Sequence, residues 1–464
     1  SREKEGHEKD SKDYFLAGKS LPWWAIGASL IAANISAEQF IGMSGSGFAL
    51  GLAIASYEWM AAITLIIVGK FFLPIFIEKG IYTIPEFIEK RFSTNLKTIL
   101  ATFWVALFIF VNLTSVLFLG GKAIDTIMGT GDGSMIMIAI MGLALIAAAY
   151  SLYGGLSAVA WTDVVQVALL IVGGLITTFI ALNQVTPEGG VFHGLSHVYN
   201  SAGDKFHMIL TRDNPEYFNL PGIAVLIGGM WVANIYYWGF NQYIIQRTLA
   251  AKSLKEAQRG IAFAAFLMLI IPLIVVIPGI VAYVMYAQPE GTAAIAGVQD
   301  AFQKTGGGIN YDKAYPWLIG TFIPSGLKGL VLAALTAAIV SSLASMLNST
   351  ATIFTMDIYK PYFAKTHSEK NLVIVGRFAA AGALVIAVVM APVLGSIPQM
   401  FQYIQEYTGV VSPGILAVFL MGLFWKKTTN KAAIFGILAS IVVAVLLKSA
   451  VVDLPWMDQM LYTC

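Results

Sequence analysis

Ser29-Leu-Ile-Ala-Ala-Asn34-Ile-Ser36-Ala-Glu38-Gln39-Phe-Ile-Gly-Met-Ser44 opens as an apolar span. In its middle it sets down Asn34, Ser36, Glu38 and Gln39 before apolar character resumes. A bilayer core has no water for unpaired backbone groups, so polar residues at mid-depth must face protein, water, an ion or a solute. The pattern predicts a helix that breaks here. It leaves carbonyls for a cation and side chains for a polar solute, and the rest of the chain must supply the other half of the site.

The 464 residues are 58% hydrophobic and 12% charged, against about 25% charged in a soluble domain. This composition belongs to a polytopic, all-α membrane protein whose partner is the lipid bilayer. A net charge of +2 carries no signal for nucleic acid. Cys464 is the single cysteine, which rules out an intrachain disulfide and a cysteine metal site. His7, His193, His197, His207 and His367 all fall in the tail or in polar connections, so a histidine centre inside the membrane is not expected. The chain starts at Ser1 rather than Met and stops at Cys464, just past an apolar-aromatic patch at 454–462 that would suit the start of another span. Further helices are expected at both ends.

A span needs about 20 apolar residues. Eleven are read, near 22–47, 53–77, 96–127, 134–150, 158–183, 221–247, 257–287, 326–356, 371–392, 396–424 and 430–450. Short surface helices are expected in the long connections 184–220 and 288–325. Basic residues gather on alternate connections: Lys79, Lys90, Arg91 and Lys97, then Arg247, Lys252, Lys255 and Arg259, then Lys360, Lys365 and Lys370, then Lys426, Lys427 and Lys431. The positive-inside rule puts these, and the Ser1 end, in the cytoplasm of a multi-pass cell (inner) membrane protein.

The first five helices and the next five each begin with an interrupted span, the second at Gly228-Gly-Met-Trp-Val-Ala-Asn234. Five is odd, so the second set is inverted relative to the first, and paired broken helices in inverted halves point to a secondary transporter with a midplane site. The other reading is a bundle of glycine-kinked helices. The resulting division is 1–21 (N-terminal segment), 22–183 (first repeat), 184–220 (extracellular or periplasmic connection), 221–424 (inverted repeat) and 425–464 (additional span).

Several residues carry chemistry in this frame. Glu58, about a turn inside the second helix, is either a functional buried carboxylate or an interfacial one. Asn234, Tyr237, Trp238 and Asn241 share a face in the sixth helix. Such a face suits a sugar, whose C–H groups stack on aromatic rings while its hydroxyls hydrogen-bond, but it also resembles an interfacial aromatic belt. In the tenth helix Phe401, Gln405 and Thr408 repeat the pattern, with Gln402 and Glu406 beside them; glutamines here also serve to tie helices together. Ser341, Ser345, Asn348, Ser349 and Thr352 form a stripe in the eighth helix, with Ser342 adjacent. It is either a packing face or a source of hydroxyl oxygens for a hard cation, a monovalent one since no carboxylate joins that shell. Asp163, between helices four and five, either caps the fifth helix or lies on an ion route.

Tyr153-Gly-Gly-Leu-Ser-Ala-Val with Trp161-Thr-Asp-Val-Val-Gln166 resembles the signature of the sodium:solute symporter family. So do Tyr14-Phe-Leu-Ala-Gly-Lys-Ser-Leu-Pro22, Thr83-Ile-Pro-Glu-Phe87 with Arg91-Phe92, and Gln246-Arg-Thr-Leu-Ala-Ala-Lys252. Ser341-Ser-Leu-Ala-Ser-Met-Leu-Asn348 and Phe401-Gln-Tyr-Ile-Gln-Glu-Tyr-Thr-Gly409 look like its sodium/sugar branch. The resemblance covers nearly the whole chain. It implies an inverted five-helix repeat core, neurotransmitter:sodium-symporter-like, with discontinuous first and sixth helices and a further C-terminal span. It implies sodium-coupled symport of galactose or glucose, with no enzyme activity. Sodium would be held by the backbone oxygens of Ala32, Ile35 and Ala338 and the hydroxyls of Ser341 and Ser342, with Asp163 assisting release. The sugar would meet Gln39, Glu58, Asn234 and Gln405, with Glu38 close by. Tyr237 would stack beneath it as inner gate, and Met43, Tyr57 and Phe401 would close over it.

Two positions depart from that branch. A lysine is common in sugar members where this chain has Met268, and Ala61 stands where a serine is frequent. Both changes remove polar contacts to the solute and leave the sodium set intact. They point to altered specificity, weakened sugar affinity or an engineered variant. The alternatives are a different small solute (an amino acid, nucleoside or carboxylate) on the same machine, or a sugar sensor that does not transport. Glu58, Gln39 and Gln405 favour hydroxyls over a carboxylate solute.

Overall fold

The computed structural model describes residues 11–128, 133–288, 297–303, 307–363, 369–397, 399–451 and 453–464. They form an all-helical bundle in which nine helices are long and apolar enough to cross a bilayer. Ile63, Leu145, Val165, Phe378, Val389 and Phe435 point outward from it, as lipid-facing positions must. The connections carry short helices as expected, among them Val191–Ser201 and Ala314–Phe322.

Eleven expected spans and nine long ones differ at two places. The first arm is broken, so that Trp23–Asn34 has only 12 residues. Its second half runs on with the second arm as one helical stretch, Glu38–Glu78. That stretch turns at Gly51, whose φ is 82° and where a Cβ would lie 2.2 Å from the Lys205 carbonyl oxygen. Met43 and Tyr57 return to the same cavity on either side of the turn.

The second place is Ile136–Gln184, helical over 49 residues where two helices were expected. Straight, it would be about 74 Å long, more than twice a hydrocarbon core of about 30 Å. Its contacts require a reversal. Gly120 packs against both Leu143 and Ile339, and Ser341, two residues beyond Ile339, donates to Asp163. Leu143 and Asp163 thus lie near one level, with about 30 Å of helical contour between them. The Tyr14 hydroxyl covers part of the reversal by donating to the carbonyls of Ser151 and Leu152, at 3.3 and 3.1 Å.

At the first break Ile35 is extended, with φ −82° and ψ 97°. The new segment is capped by its own sequence. Ser36 Oγ accepts from the Glu38 N–H at 3.0 Å, and Gln39 Oε1 accepts from the Ser36 N–H at 3.1 Å. This reciprocal Ser-x-x-Gln box satisfies donors that a helix start leaves open. Membrane burial makes it obligatory.

The sixth helix breaks differently from expectation. Gly228 separates Gly222–Ile227 from Gly229–Phe240, and a second break at Asn241 separates that segment from Gln242–Leu249. Asn234 therefore sits on regular helix rather than in the interruption. The seventh arm also bends, between Leu254–Met268 and Ile271–Ala287, because Pro272 has no N–H to offer the Met268 carbonyl.

The seventh arm meets the far half of the first through glycine. A Cβ on Gly279 would lie 2.1 Å from the Ser44 carbonyl oxygen. Gly279→Ala is expected to cost about 1–3 kcal/mol by forcing the two backbones apart; a melting temperature in detergent equal to that of the parent would show that the contact gives way freely.

Candidate functional site

The first break, the second arm, the middle segment of the sixth helix and the tenth helix converge on one partly open cavity with room for about 50 Å³ of water-sized occupancy. The first break lines it with Glu38 and Gln39, and Met43 comes one turn later. The Ser56–Ile67 helix adds Tyr57 and Glu58, the sixth adds Asn234 and Tyr237 at helical spacing, and Met400–Phe424 adds Phe401 and Gln405 one turn apart. Every expected sugar and gate residue is brought together here. Asn34, Ala61 and Trp238 line it too.

Depth decides between the alternative readings of these residues. Glu58 is only 3% exposed, so it is a buried carboxylate rather than an interfacial one. Asn234 and Trp238 are buried as well, which sets aside the interfacial belt. Gln39 spends its Oε1 on the cap at Ser36, leaving its amide nitrogen for the cavity. Gln402 is buried, but neither side-chain polar atom has a partner among the described residues, so it does not tie helices together. Glu406 turns away to pair with Lys448 at 3.1 Å.

Above the cavity the Tyr57 and Phe401 rings meet edge to face, with centroids 5.2 Å apart. Gly42 lets Phe401 approach the first broken helix, since a Cβ there would fall 2.9 Å from that of Phe401. Below, the Tyr237 hydroxyl is 2.5 Å from that of Tyr243, which joins the middle of the sixth helix to its last segment.

Beside the cavity the Ser342 hydroxyl donates to the carbonyls of Ala33 at 3.1 Å and Ala32 at 3.3 Å. Those carbonyls lie in the last turn before the break, where helical partners run out. Ala338 is buried one turn before Ser342, and Ile35 is buried at the break itself. A hydroxyl and main-chain oxygens gathered at a helix end fit a hard monovalent cation. Ser341 differs from Ser342 in that its hydroxyl donates to Asp163.

Asp163 is not a cap, since it lies well inside helical backbone and is completely buried. It accepts hydrogen bonds from Ser29 and Ser341 and faces Arg247 Nη2 at 3.5 Å. Arg247, which by sequence alone counts among the residues marking the cytoplasmic face, is also completely buried. Its guanidinium donates to the Ser29 and Tyr243 carbonyls and to the Ser29 and Ser345 hydroxyls. The serine stripe of the eighth helix thus divides its work: Ser342 faces the broken helix, Ser345 serves Arg247, and Ser349 donates to Gln246 at 2.8 Å. The Tyr153-Gly-Gly motif has helical backbone, and the side chains of 153–155 lie outside the described residues.

Two interrupted membrane helices meeting at a polar cavity, beside a cluster of hydroxyl and main-chain oxygens, define a secondary transporter of the inverted-repeat class. The model of the sodium:solute symporter family matches residues 14–440, and the chain belongs to that family. It is 66% identical over 463 residues to a sodium/glucose cotransporter of Vibrio parahaemolyticus, covering 100% of this chain and 84% of that one. It is 33% identical to the mouse sodium/glucose cotransporter 1, covering 93% of this chain and 66% of the mouse protein. The solved structure of a Na+-coupled sialic acid symporter in a substrate-bound outward-open state superposes with a TM-score of 0.82 at 25% identity, over 98% of this chain and 90% of that one.

Removing one member of a buried ion pair strands the other, at a cost of about 3–5 kcal/mol, whereas replacing both is often nearly neutral. Asp163→Asn and Arg247→Met should each lower the melting temperature, and the double variant should recover most of the loss. Additive losses in that thermal cycle would mean that the two side chains act independently.

Proposed function

We propose that the protein carries out sodium-coupled symport of a monosaccharide, galactose or glucose, by alternating access, and that it does so in the cell membrane with its Ser1 end in the cytoplasm. The observation that carries this reading is the adjacency of the Ser342 hydroxyl to the freed Ala32 and Ala33 carbonyls, one turn from a cavity lined by Gln39, Glu58, Asn234 and Gln405. The family and its sugar-transporting relatives support it.

In this reading sodium lies between the first and eighth helices, on the backbone oxygens of Ala32, Ile35 and Ala338 and the hydroxyls of Ser341 and Ser342. Asp163 draws the ion off the Ser341 hydroxyl on its way to the cytoplasm. The sugar is hydrogen-bonded by Gln39, Glu58, Asn234 and Gln405, with Glu38 at its edge. It stacks on Tyr237 as inner gate, under Met43, Tyr57 and Phe401. The 22–183 and 221–424 repeats supply the two halves of the site.

Coupling runs along a few residues of the first break. An ion that fixes Ala32 to Ile35 also fixes Ser36, and Ser36 orients Gln39 through the capping box. Sodium thereby pre-organises a sugar ligand. Binding reciprocity requires that sugar tighten sodium by the same factor. One charge crossing 100 mV supplies about 2.3 kcal/mol, and a tenfold sodium gradient adds about 1.4. Together these support roughly 500-fold accumulation at the limit, without ATP.

Proteoliposomes tested with labelled galactose and glucose, with and without a sodium gradient, provide the test. Uptake of either sugar that depends on sodium is expected; sodium binding without flux of either would turn the assignment to another solute or to a sensor. Ser342→Ala should remove the sodium dependence of uptake, and normal sodium activation in that variant would exclude the proposed ion site.

A further inference from the structure

Among the described residues, the cavity lining holds two carboxylates and no cation. Glu38 is 7% exposed and Glu58 3%, and both line the same cavity. Glu38 Oε1 is buried with no hydrogen-bond partner. No lysine, arginine or histidine joins the two carboxylates in that lining. The completely buried arginine nearby, Arg247, is already engaged by Asp163, Ser29, Tyr243 and Ser345. Met268 adds only a thioether sulfur, 3.9 Å from the Asn34 amide nitrogen. Other polar groups around the cavity are also unpartnered, namely the Tyr57 hydroxyl and Asn234 Nδ2.

A buried carboxylate oxygen without a partner, as at Glu38 Oε1, is costly, and the penalty falls when a cation enters and donates hydrogen bonds to its lone pairs. The coupling ion has its place elsewhere, at the Ser342 hydroxyl and the end of the first helix. The missing positive charge is therefore a feature the solute can bring. The rest of the lining suits a sugar ring: Tyr237 and Trp238 offer faces for stacking, and Gln39, Asn234 and Gln405 offer amides for hydroxyls.

We propose that the cavity selects an amino sugar, a monosaccharide whose protonated primary amine is held by the Glu38 and Glu58 carboxylates while its hydroxyls meet the amides. The proposal rests on the monosaccharide reading above and departs from its two neutral sugars, making a charged monosaccharide the preferred solute. Charge-assisted N–H···O bonds to a carboxylate are roughly twice as strong as neutral ones, so the amine should dominate selectivity. A lysine at 268 would place an ammonium of the chain's own beside Asn34, and the same cavity would then favour a neutral sugar.

The test is equilibrium binding of glucosamine, N-acetylglucosamine and glucose to the purified protein in saturating sodium at neutral pH. Glucosamine is expected to bind about tenfold or more tighter than either neutral sugar, the effect of one opposite charge near a buried carboxylate. The ratio of glucosamine to glucose affinity should fall towards one in Glu38→Gln and in Glu58→Gln, and should invert in Met268→Lys. Because the ratio is internal to each variant, loss of folded protein does not move it. Glucosamine binding no tighter than glucose would overturn the proposal and leave the monosaccharide reading standing. N-acetylglucosamine binding as tightly as glucosamine would overturn it as well, since size rather than charge would then be selected. If sodium binds and none of the three sugars does, the monosaccharide reading fails and takes the proposal with it. Weaker sodium affinity in Glu38→Gln with an unchanged sugar ratio would overturn the proposal by assigning that carboxylate to the ion.

Discussion

Everything in this protein depends on how a helix can stop in the middle of a membrane. Each unpaired N–H or carbonyl in hydrocarbon costs several kcal/mol, so a break survives only where protein, ion or solute takes over the lost hydrogen bonds. At Asn34–Gln39 that is done by residues of the break itself. Ser36 and Gln39 cap the downstream segment, and Ser342 covers the upstream carbonyls from the eighth helix. The Ser342 hydroxyl brings a proton to two carbonyl oxygens, a position from which a cation would displace it without loss of coordination. Structural repair and the proposed ion binding thus draw on the same atoms.

A second constraint lies behind the first. Arg247 and Asp163, both without access to solvent, pin the last segment of the sixth helix to the fifth arm, beyond the reversal, and to the eighth helix. The attraction between them is set against a large desolvation penalty, so the pair is a device of position more than of stability. It brings Ser29, on the first half of the first broken helix, and Ser341, on the eighth, onto a single carboxylate. Any movement of the sixth helix relative to the first must rearrange this cluster. The Tyr237–Tyr243 hydroxyl contact ties this last segment to the cavity lining.

Much of this is legible in the sequence, for a physical reason. Polar residues inside apolar runs have few excuses, so Asn34, Ser36, Glu38, Gln39 and Glu58 read as a site without any fold in hand, and the cavity gathers all of them but Ser36. The sixth helix is harder to place. Its glycine pair marks one break at Gly228, but the break at Asn241 has no glycine or proline. The segment after Asn241 is buried through Arg247, whose partner Asp163 lies 84 residues away in the chain. Charge counting makes Arg247 a marker of sidedness because the rule sums basic residues near span ends and is blind to burial. Asp163 is open to reading as a cap because aspartate is common at helix starts, and the back-to-back helices at 136–184 conceal where a start would be. Trp238 belongs to a face that is ambiguous in one dimension; only depth resolves which way that face looks.

The proposed ion half and the proposed solute half of the site differ in how much they leave for a ligand to complete. Around Ser342 the oxygens already bond one another, so the cluster is closed in itself, and a cation of the right size need only take the place of the hydrogen bonds while the hydroxyl turns its proton away. Around the solute cavity Glu38 Oε1, the Tyr57 hydroxyl and Asn234 Nδ2 stay unpaired, and Met268 sits where it covers Asn34 without neutralising anything. A cavity with this imbalance has selectivity built into its charge before shape is considered: a carboxylate solute would be repelled, a neutral sugar would leave the charge uncompensated, and a cationic one would complete it. A lysine at 268 would therefore do more than add a contact. It would change the sign of what the cavity lacks, while the oxygens at the end of the first helix, which suit the coupling ion, would be untouched.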